Sequence, residues 1–470
     1  MLFTRFTRRA FALTALVATS SWLQAQGTLS SAKPFDDGDT VCFVGDSITH
    51  GGTYHSIVTL YYATRFPGKT IRFYNCGISG DRASSIMSDE KFRVNVDILG
   101  RKPTVATIML GMNDVGRNDY AADKTGEEVE QKRKESLDTY SLNLTKLTNA
   151  LRTSGARLIF ITPSIYEENI HLDLPKTADL MQGVNGALAQ CAAKVRNMAA
   201  DYRAGIVDFF QAMNSINERE RKTADNFTIV GADRVHPGPV GHFAMAYTFL
   251  KSQGLPRDVS RIKLEGKKGK VKELGRVKVD KLHKKDGGLE FDAIEEALPL
   301  VVPENAQDAL KLVPFTKDLN QEVINVSGLD DGQYTLKIDD AVVGEYSASD
   351  FYAGVNIAAN DKTPQYKQSA LATEINTNRQ KIGARMRDLA AQKYNMSRAG
   401  IDVSSAATVT AELNKRIEAA KTANEAAAKR LEGVLKDHLS GDLEKQYEDL
   451  AGQLAKACKT VKHHFVIAKK

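Results

Sequence analysis

The chain has 470 residues, 42% of them hydrophobic and 26% charged, the balance of an ordinary globular protein with room for two or three domains. Its formal charge of +6 falls to +3 once the three arginines among the first ten residues, Arg5, Arg8 and Arg9, are set aside, too little to argue for a nucleic-acid partner. Four cysteines, Cys42, Cys76, Cys191 and Cys458, show no CxxC pairing, which excludes a zinc ribbon or disulfide-dense scaffold and favours buried free thiols, with one disulfide left open.

The first element is an export signal. A basic start, an apolar stretch from Ala10 to Leu23 and small residues around Ala25 predict a cleavable segment over residues 1–25, too short for a comfortable membrane span. Thr7-Arg8-Arg9-Ala10-Phe11 resembles the twin-arginine signal, and no cysteine near the cleavage point supports a lipid anchor. The mature chain is therefore expected outside the cytoplasm, periplasmic or extracellular, without a stable membrane anchor.

From Thr40 to about Leu255, short apolar runs alternate with amphipathic segments. The strand candidates are "TVCFVGD", "TIRFYNCG", "VATIMLGMND", "RLIFITPS" and "GIVDFF", and the helix candidates include Gly52–Arg65, Lys134–Ser154 and Leu180–Asp201. This alternation predicts an α/β fold, a parallel sheet covered by helices on both faces. Sites in such folds gather at the carboxyl ends of the strands. Ser47 follows the first strand, "NCGISGD" the second and "GMND" the third, so three chemically suggestive groups share one rim.

After Gly254 the character changes. The lysine-rich stretch from Ser260 to Asp286 alternates Val, Ile and Leu with polar residues, which reads as exposed β-strands; no aromatic residues interleave with the lysines as a nucleic-acid groove would require. "GLEFDA", "EVINVSGL" and "GQYTLKIDDAVVGEYSA" add strands, the last with a hairpin at Asp339-Asp340. From Pro364 to Val461 the Ala, Lys, Glu, Gln and Leu content predicts two long antiparallel helices packed on the body of the protein. The closing "HHFVIAKK" is expected to return as a strand to the β-region, and adjacent His463 and His464 would then point to opposite faces and not chelate one metal.

One constellation explains why the first strand ends in Gly-Asp-Ser. A serine hydroxyl is a poor nucleophile without a base, and that base needs a partner to hold its tautomer. "GADRVHPGPVGHFAMAYTFL", Gly231 to Leu250, supplies both from one loop, as Asp233 and His236. With these residues in view the sequence resembles the SGNH (GDSL) hydrolase superfamily over roughly Thr40 to Leu255. The matching blocks, in order, are Gly45-Asp46-Ser47, Gly80 within Ser79-Gly80-Asp81, Gly111-x-Asn113-Asp114 and Asp233-x-x-His236-Pro237.

The resemblance implies a flavodoxin-like, five-stranded parallel sheet with helices on both faces over residues 28–256, followed by a small β-domain (257–360) and a C-terminal helical hairpin with its returning strand (361–470). It implies Ser47 as nucleophile, His236 as general base and then acid, and Asp233 as the orienting carboxylate. The oxyanion hole would be built from the backbone N–H groups of Ser47 and Gly80 and the Asn113 side chain. No metal and no cofactor are expected. Asp46 is read as a cap or turn residue, and His50 and His55 as surface or packing groups. The segment from Glu290 to Ala359 resembles the β-rich extension of some exported bacterial members.

The leading function is an exported serine esterase that removes short acyl groups, acetyl foremost, from carbohydrate. The loops after Asn113 ("VGRNDYAADKTGEEVEQKRKE") and after the fourth strand ("SIYEENIHLDLPK") are strongly polar, whereas a lipase lid needs an apolar face. Tyr54 and Tyr166 are candidate ring faces for a sugar. The alternatives are a lipase or lysophospholipase of the same fold and a non-catalytic glycan-binding scaffold, against which the presence of Ser47, Asn113, Asp233 and His236 together argues. The partner is a small-molecule or glycan ester, and the oligomeric state is left open.

Overall fold

The computed structural model describes residues 30–170 and 179–470. The expected export signal lies outside the described residues, as does part of the polar loop after the fourth strand.

The apolar runs of the first half pair side by side. Strands β1 (Ser30–Ser31), β2 (Thr40–Gly45), β3 (Arg72–Gly77), β4 (Val105–Met109), β5 (Arg157–Ile161) and β6 (Gly205–Val207) form one parallel sheet in the order β1-β6-β5-β4-β2-β3. From β2 onward this is the doubly wound order 2-1-3-4-5. Strand β1 adds a short sixth at the edge, where two serines have no apolar run to announce them. The helices of this half are α1 (Ser47–His50), α2 (Thr53–Arg65), α3 (Ala83–Ser88), α4 (Glu127–Thr153), α5 (Val184–Asp201), α6 (Phe209–Glu220) and α7 (Pro239–Ser252), with a π-helical segment Glu90–Ile98 before β4.

Alternation along the strands divides the core. Val41 and Phe43 of β2 pack with Val58, Tyr61 and Phe249 from α2 and α7. Cys42 and Val44 pack with Ile86, Leu144 and Leu188 from α3, α4 and α5 on the other face. A strand buried on both faces is apolar at every position, which is why these runs are continuous in the sequence. Helix α4 begins at Glu127 rather than Lys134. Its first turn carries Glu127, Glu128 and Glu130, which suit the positive end of a helix dipole but show no apolar period.

The second half holds two sheets around a shared core. Strands β7 (Asp258–Glu265), β8 (Lys270–Gly275), β9 (Val277–Lys285) and β10 (Gly288–Glu295) lead into short helices α8 (Ala309–Leu312) and α9 (Phe315–Leu319). Then follow β11 (Gln321–Ser327), β12 (Gln333–Ile338), β13 (Ala341–Ser347), α10 (Ala348–Ala353) and β14 (Val355–Asn356). One sheet runs β13-β12-β15-β10-β9, with β15 (Lys462–Lys469) pairing at its centre, and the other β14-β11-β7-β8. Ile262, Leu264, Phe291, Leu336 and Phe465 lie in the core between them. The lysines of β8 and β9 are largely exposed, but β7 buries Val259, Ile262 and Leu264, so only part of the stretch from Ser260 to Asp286 is a solvated surface. His463 bonds Asp339 on one side of β15 and His464 bonds Asp292 on the other, each at 2.9 Å.

The C-terminal region is not the expected pair of long helices: α11 (Pro364–Arg398) is met in return by α13 (Glu425–Ser440) and α14 (Leu443–Ala457), while α12 (Ala406–Ala423) folds back on α13, packing Val409 and Leu413 with Val434 and bringing the Ala406 carbonyl within 3.1 Å of His438 Nε2. Asn424 caps α13 by accepting from the Ala427 N–H, and Gly441 ends it at φ +66°. Such caps interrupt a helix without altering its Ala, Lys and Glu content, so composition alone reads through them. Among the described residues no helix is long and apolar enough to cross a membrane, and all four cysteines are buried and free.

Candidate active site

The carboxyl ends of β2, β3 and β4 meet at one rim. Helix α1 sits down tightly there because two strands end in glycine. A Cβ on Gly45 would lie 2.2 Å from Thr49 Oγ1, and one on Gly77 2.4 Å from the His50 backbone nitrogen. Asp46 caps α1, its Oδ1 accepting from the Ile48 N–H at 3.0 Å, and burial pushes its carboxyl up to about 6. It makes the turn and leaves Ser47 as the displayed group.

The 231–238 loop delivers the other two. Gly231 and His236 close it by a backbone bond of 2.8 Å. Arg234, buried in spite of φ +65°, donates to the carbonyls of Glu167 and Ile170 at 3.1 and 3.2 Å. His236 Nε2 lies 2.7 Å from Ser47 Oγ, and Nδ1 is hydrogen-bonded to the Asp233 carboxylate. Asp233 Oδ1 also accepts from the N–H groups of Val235 and His236, at 3.1 and 2.9 Å. Partial burial raises the Asp233 carboxyl, but the bonds from His236 and Val235 outweigh it and hold the group below its ordinary value. An ionised Asp233 accepts the Nδ1 proton, which leaves Nε2 as acceptor for the serine hydroxyl.

Gly80 sits in the loop after β3 at φ +83°, a left-handed conformation natural to glycine. Asn113 follows β4. Its Nδ2 donates to the Asp81 carbonyl at 3.0 Å, and its Oδ1 accepts from Arg117 Nη1 at 3.1 Å. One amide hydrogen is thus used on the loop that carries Gly80, and the second is not needed there. Asp114 turns inward instead, accepting from the Ala83 N–H at 2.7 Å, and burial pushes its carboxyl up to about 7.

One expectation needs correction. Tyr54 and Tyr166 offer no ring face, since both are buried: Tyr54 packs edge-on to Phe43 and Phe209, and Tyr166 OH is held between the Asp179 carbonyl and the Met181 N–H. His55 is a core residue stacked on Phe43, and burial lowers it to about 3. His50, read with His55 as a surface or packing group, packs at the rim, where its Nδ1 accepts the Ser79 N–H at 3.0 Å and so braces the Gly80 loop. Arg117 escaped the sequence reading; a single arginine in a turn four positions after Asn113 belongs to no periodic pattern. Among the described residues, no group of three or more His, Cys, Asp or Glu side chains could hold a metal ion.

The chain is similar to several known proteins. Residues 43–244 match the family described as GDSL-like Lipase/Acylhydrolase. An acetylxylan esterase of Geobacillus stearothermophilus is 28% identical over 232 residues, 46% of this chain and 94% of that protein. A solved structure of a gut microbial diltiazem-metabolizing enzyme is 27% identical and superposes with a TM-score of 0.81, covering 94% of this chain and all of that one; the likeness includes the β-region and the C-terminal helices.

Proposed function

Starting from a carboxylic ester hydrolase whose residues 43–244 belong to the GDSL-like lipase/acylhydrolase family, we propose that this protein removes short acyl groups, acetyl foremost, from carbohydrate hydroxyls through an acyl-enzyme. The observation that carries the reading is the relay itself, with His236 Nε2 2.7 Å from Ser47 Oγ and Asp233 behind the ring. Ser47 Oγ attacks the ester carbonyl carbon while His236 takes its proton. The oxygen that becomes negative is met by the N–H groups of Ser47 and Gly80 and by Asn113 Nδ2. Collapse breaks the bond to the alcohol, which leaves with the proton from His236. Water then attacks the acyl-serine by the same route and regenerates Ser47. Donors fixed in advance lower the barrier because nothing reorganises as charge develops, each contributing about 3 kcal/mol.

The substrate class rests on polarity. The loop after Asn113, whose Arg117 touches the Asn113 amide, is rich in Arg, Asn, Asp, Lys and Glu; such a border hydrogen-bonds hydroxyls and offers an acyl chain no apolar groove. The acetylxylan esterase relative supports the same reading. Enzyme export follows from the amino-terminal segment, with the mature chain beginning near Gln26. Changing Arg8 and Arg9 to lysine should block export by the twin-arginine route, and unaltered export would refute that part.

The test of the activity compares kcat/KM for p-nitrophenyl acetate, octanoate and palmitate, alongside acetate release from acetylated xylan and pectin. Preference for acetate with release from a glycan is the expected result. Faster turnover of the long chains with no release from any glycan would establish the lipase instead.

A further inference from the structure

The loop that carries Gly80 is fastened from behind by a helix that lies outside the family match. Arg387 of α11 is buried. It grips Asp97 with two prongs, Nη1 to Oδ1 and Nη2 to Oδ2, each at 2.7 Å, across 290 residues of chain. Its Nε donates to the Gly77 carbonyl at 3.1 Å. Asp97 Oδ2 also accepts from Arg93 Nη1 at 2.7 Å. Arg93, fully buried, extends the network to the loop, with Nη2 on the Cys76 carbonyl at 2.6 Å and Nε on Asp81 Oδ2 at 3.0 Å. The Asp81 carbonyl in turn holds Asn113.

Two neighbours on α11 act on the same loop. Tyr394 OH donates to the Ser85 carbonyl at 2.6 Å, and its ring lies under the Arg93 guanidinium. Asp388 faces His50 Nε2 at 3.7 Å, and His50 accepts the Ser79 N–H. Gly77, Ser79, Asp81 and Ser85 are therefore each held by α11 directly or at one remove. The buried set, Arg93 and Arg387 against Asp81 and Asp97, balances in charge, so removing either arginine leaves one negative charge uncompensated in the interior. Arg385, by contrast, pairs with Asp437 of α13 and points away from the loop.

We propose that α11 is a working part of the ester-cleaving site, with Arg387 a positioning residue that acts through Asp97 and Arg93 on the Gly77–Ser85 loop and so places the Gly80 N–H and the Asn113 amide against the reacting oxygen. The proposal rests on the reading of Gly80 and Asn113 as oxyanion donors. It makes the catalytic unit larger than residues 28–256.

The test uses the full chain with the variants Arg387→Met, Arg387→Lys, Tyr394→Phe and, as a control, Arg385→Met, each followed by thermal melting and by kcat and KM on p-nitrophenyl acetate. A loop displaced by a fraction of an ångström loses rate rather than affinity, so Arg387→Met should lower kcat about tenfold to a hundredfold with KM nearly unchanged. Arg387→Lys should recover part of that loss. Tyr394→Phe, a single missing bond, should lower kcat about threefold to tenfold without lowering the melting temperature much. Arg385→Met should lower the melting temperature and leave kcat within twofold. In an Asn113→Ala background the loss from Arg387→Met should shrink, since one of the donors it places is gone.

If Arg387→Met folds and its kcat is unchanged, or falls only as far as that of Arg385→Met, α11 is a structural prop and the proposal is overturned. Should Arg387→Met not fold, Tyr394→Phe with unchanged kcat overturns it equally. Full activity of Asn113→Ala would instead overturn the oxyanion assignment beneath it, a result distinct from either.

Discussion

Replacing Arg117 with methionine tests how the candidate oxyanion donor is held. Arg117 Nη1 donates to the Met112 carbonyl at 2.6 Å and to Asn113 Oδ1 at 3.1 Å. A guanidinium only donates and the Asp81 carbonyl only accepts, so the two partners together force one orientation of the Asn113 amide. Without Arg117 the amide keeps its bond to Asp81 but loses the bond that fixes its oxygen. A hydrogen bond to a charged group contributes about 1.5–3 kcal/mol, and loss of a whole oxyanion donor costs about 3–4 kcal/mol, which sets the ceiling. Arg117→Met should therefore reduce kcat roughly tenfold to a hundredfold. The assay is a double-mutant cycle with Asn113→Ala, reading kcat on p-nitrophenyl acetate. With Asn113 already removed, the further loss should be less than about threefold, because residues acting as one unit are not additive. Unchanged kcat in the single variant, or losses that add in full, would refute the reasoning.

Ser47→Ala and His236→Ala should each reduce turnover by at least about a thousandfold, and the double variant should be little worse than either; labelling by an organophosphonate should vanish with Ser47, and substantial turnover by Ser47→Ala would exclude it as nucleophile. Asp114 bears on stability against pH. Burial raises its carboxyl from 3.8 to about 7, so the folded chain prefers it protonated, and this contribution is fully present below pH 3.8 and is lost as pH rises to about 7. Asp114→Asn keeps an oxygen acceptor for the Ala83 N–H while removing the ionisable group. It should match the parent near pH 4 and melt higher at pH 8, by on the order of 4 kcal/mol at most. Melting curves of the two proteins that stay parallel from pH 4 to 8 would contradict this.

Several features of this chain were legible without coordinates because their causes are local. Strands β2 and β4 are buried along their whole length and β5 nearly so, which makes each a continuous apolar run. Ser47, Gly80 and Asn113 stand where strands break into Gly, Asp and Asn, and Asp233 and His236 share one short loop. The residues lost to the sequence are those whose role depends on distant neighbours. Tyr54 and Tyr166 look like surface rings until the packing around them closes. The two serines of β1 have no pattern, because the sheet that accepts them lies elsewhere in the chain, and the acidic first turn of α4 lacks the apolar period that marks the rest of that helix.

Arg117, His50 and Arg387 are polar residues in polar-looking surroundings, and only the folded chain sets them behind the rim. Arg387 reaches the Gly77 carbonyl across 310 residues. A hydrophobic period repeats along the chain and can be read from it, whereas an ion pair is a single event between two positions. Nothing near Asp97 in sequence indicates which arginine will meet it; that was decided when α11 packed against the sheet.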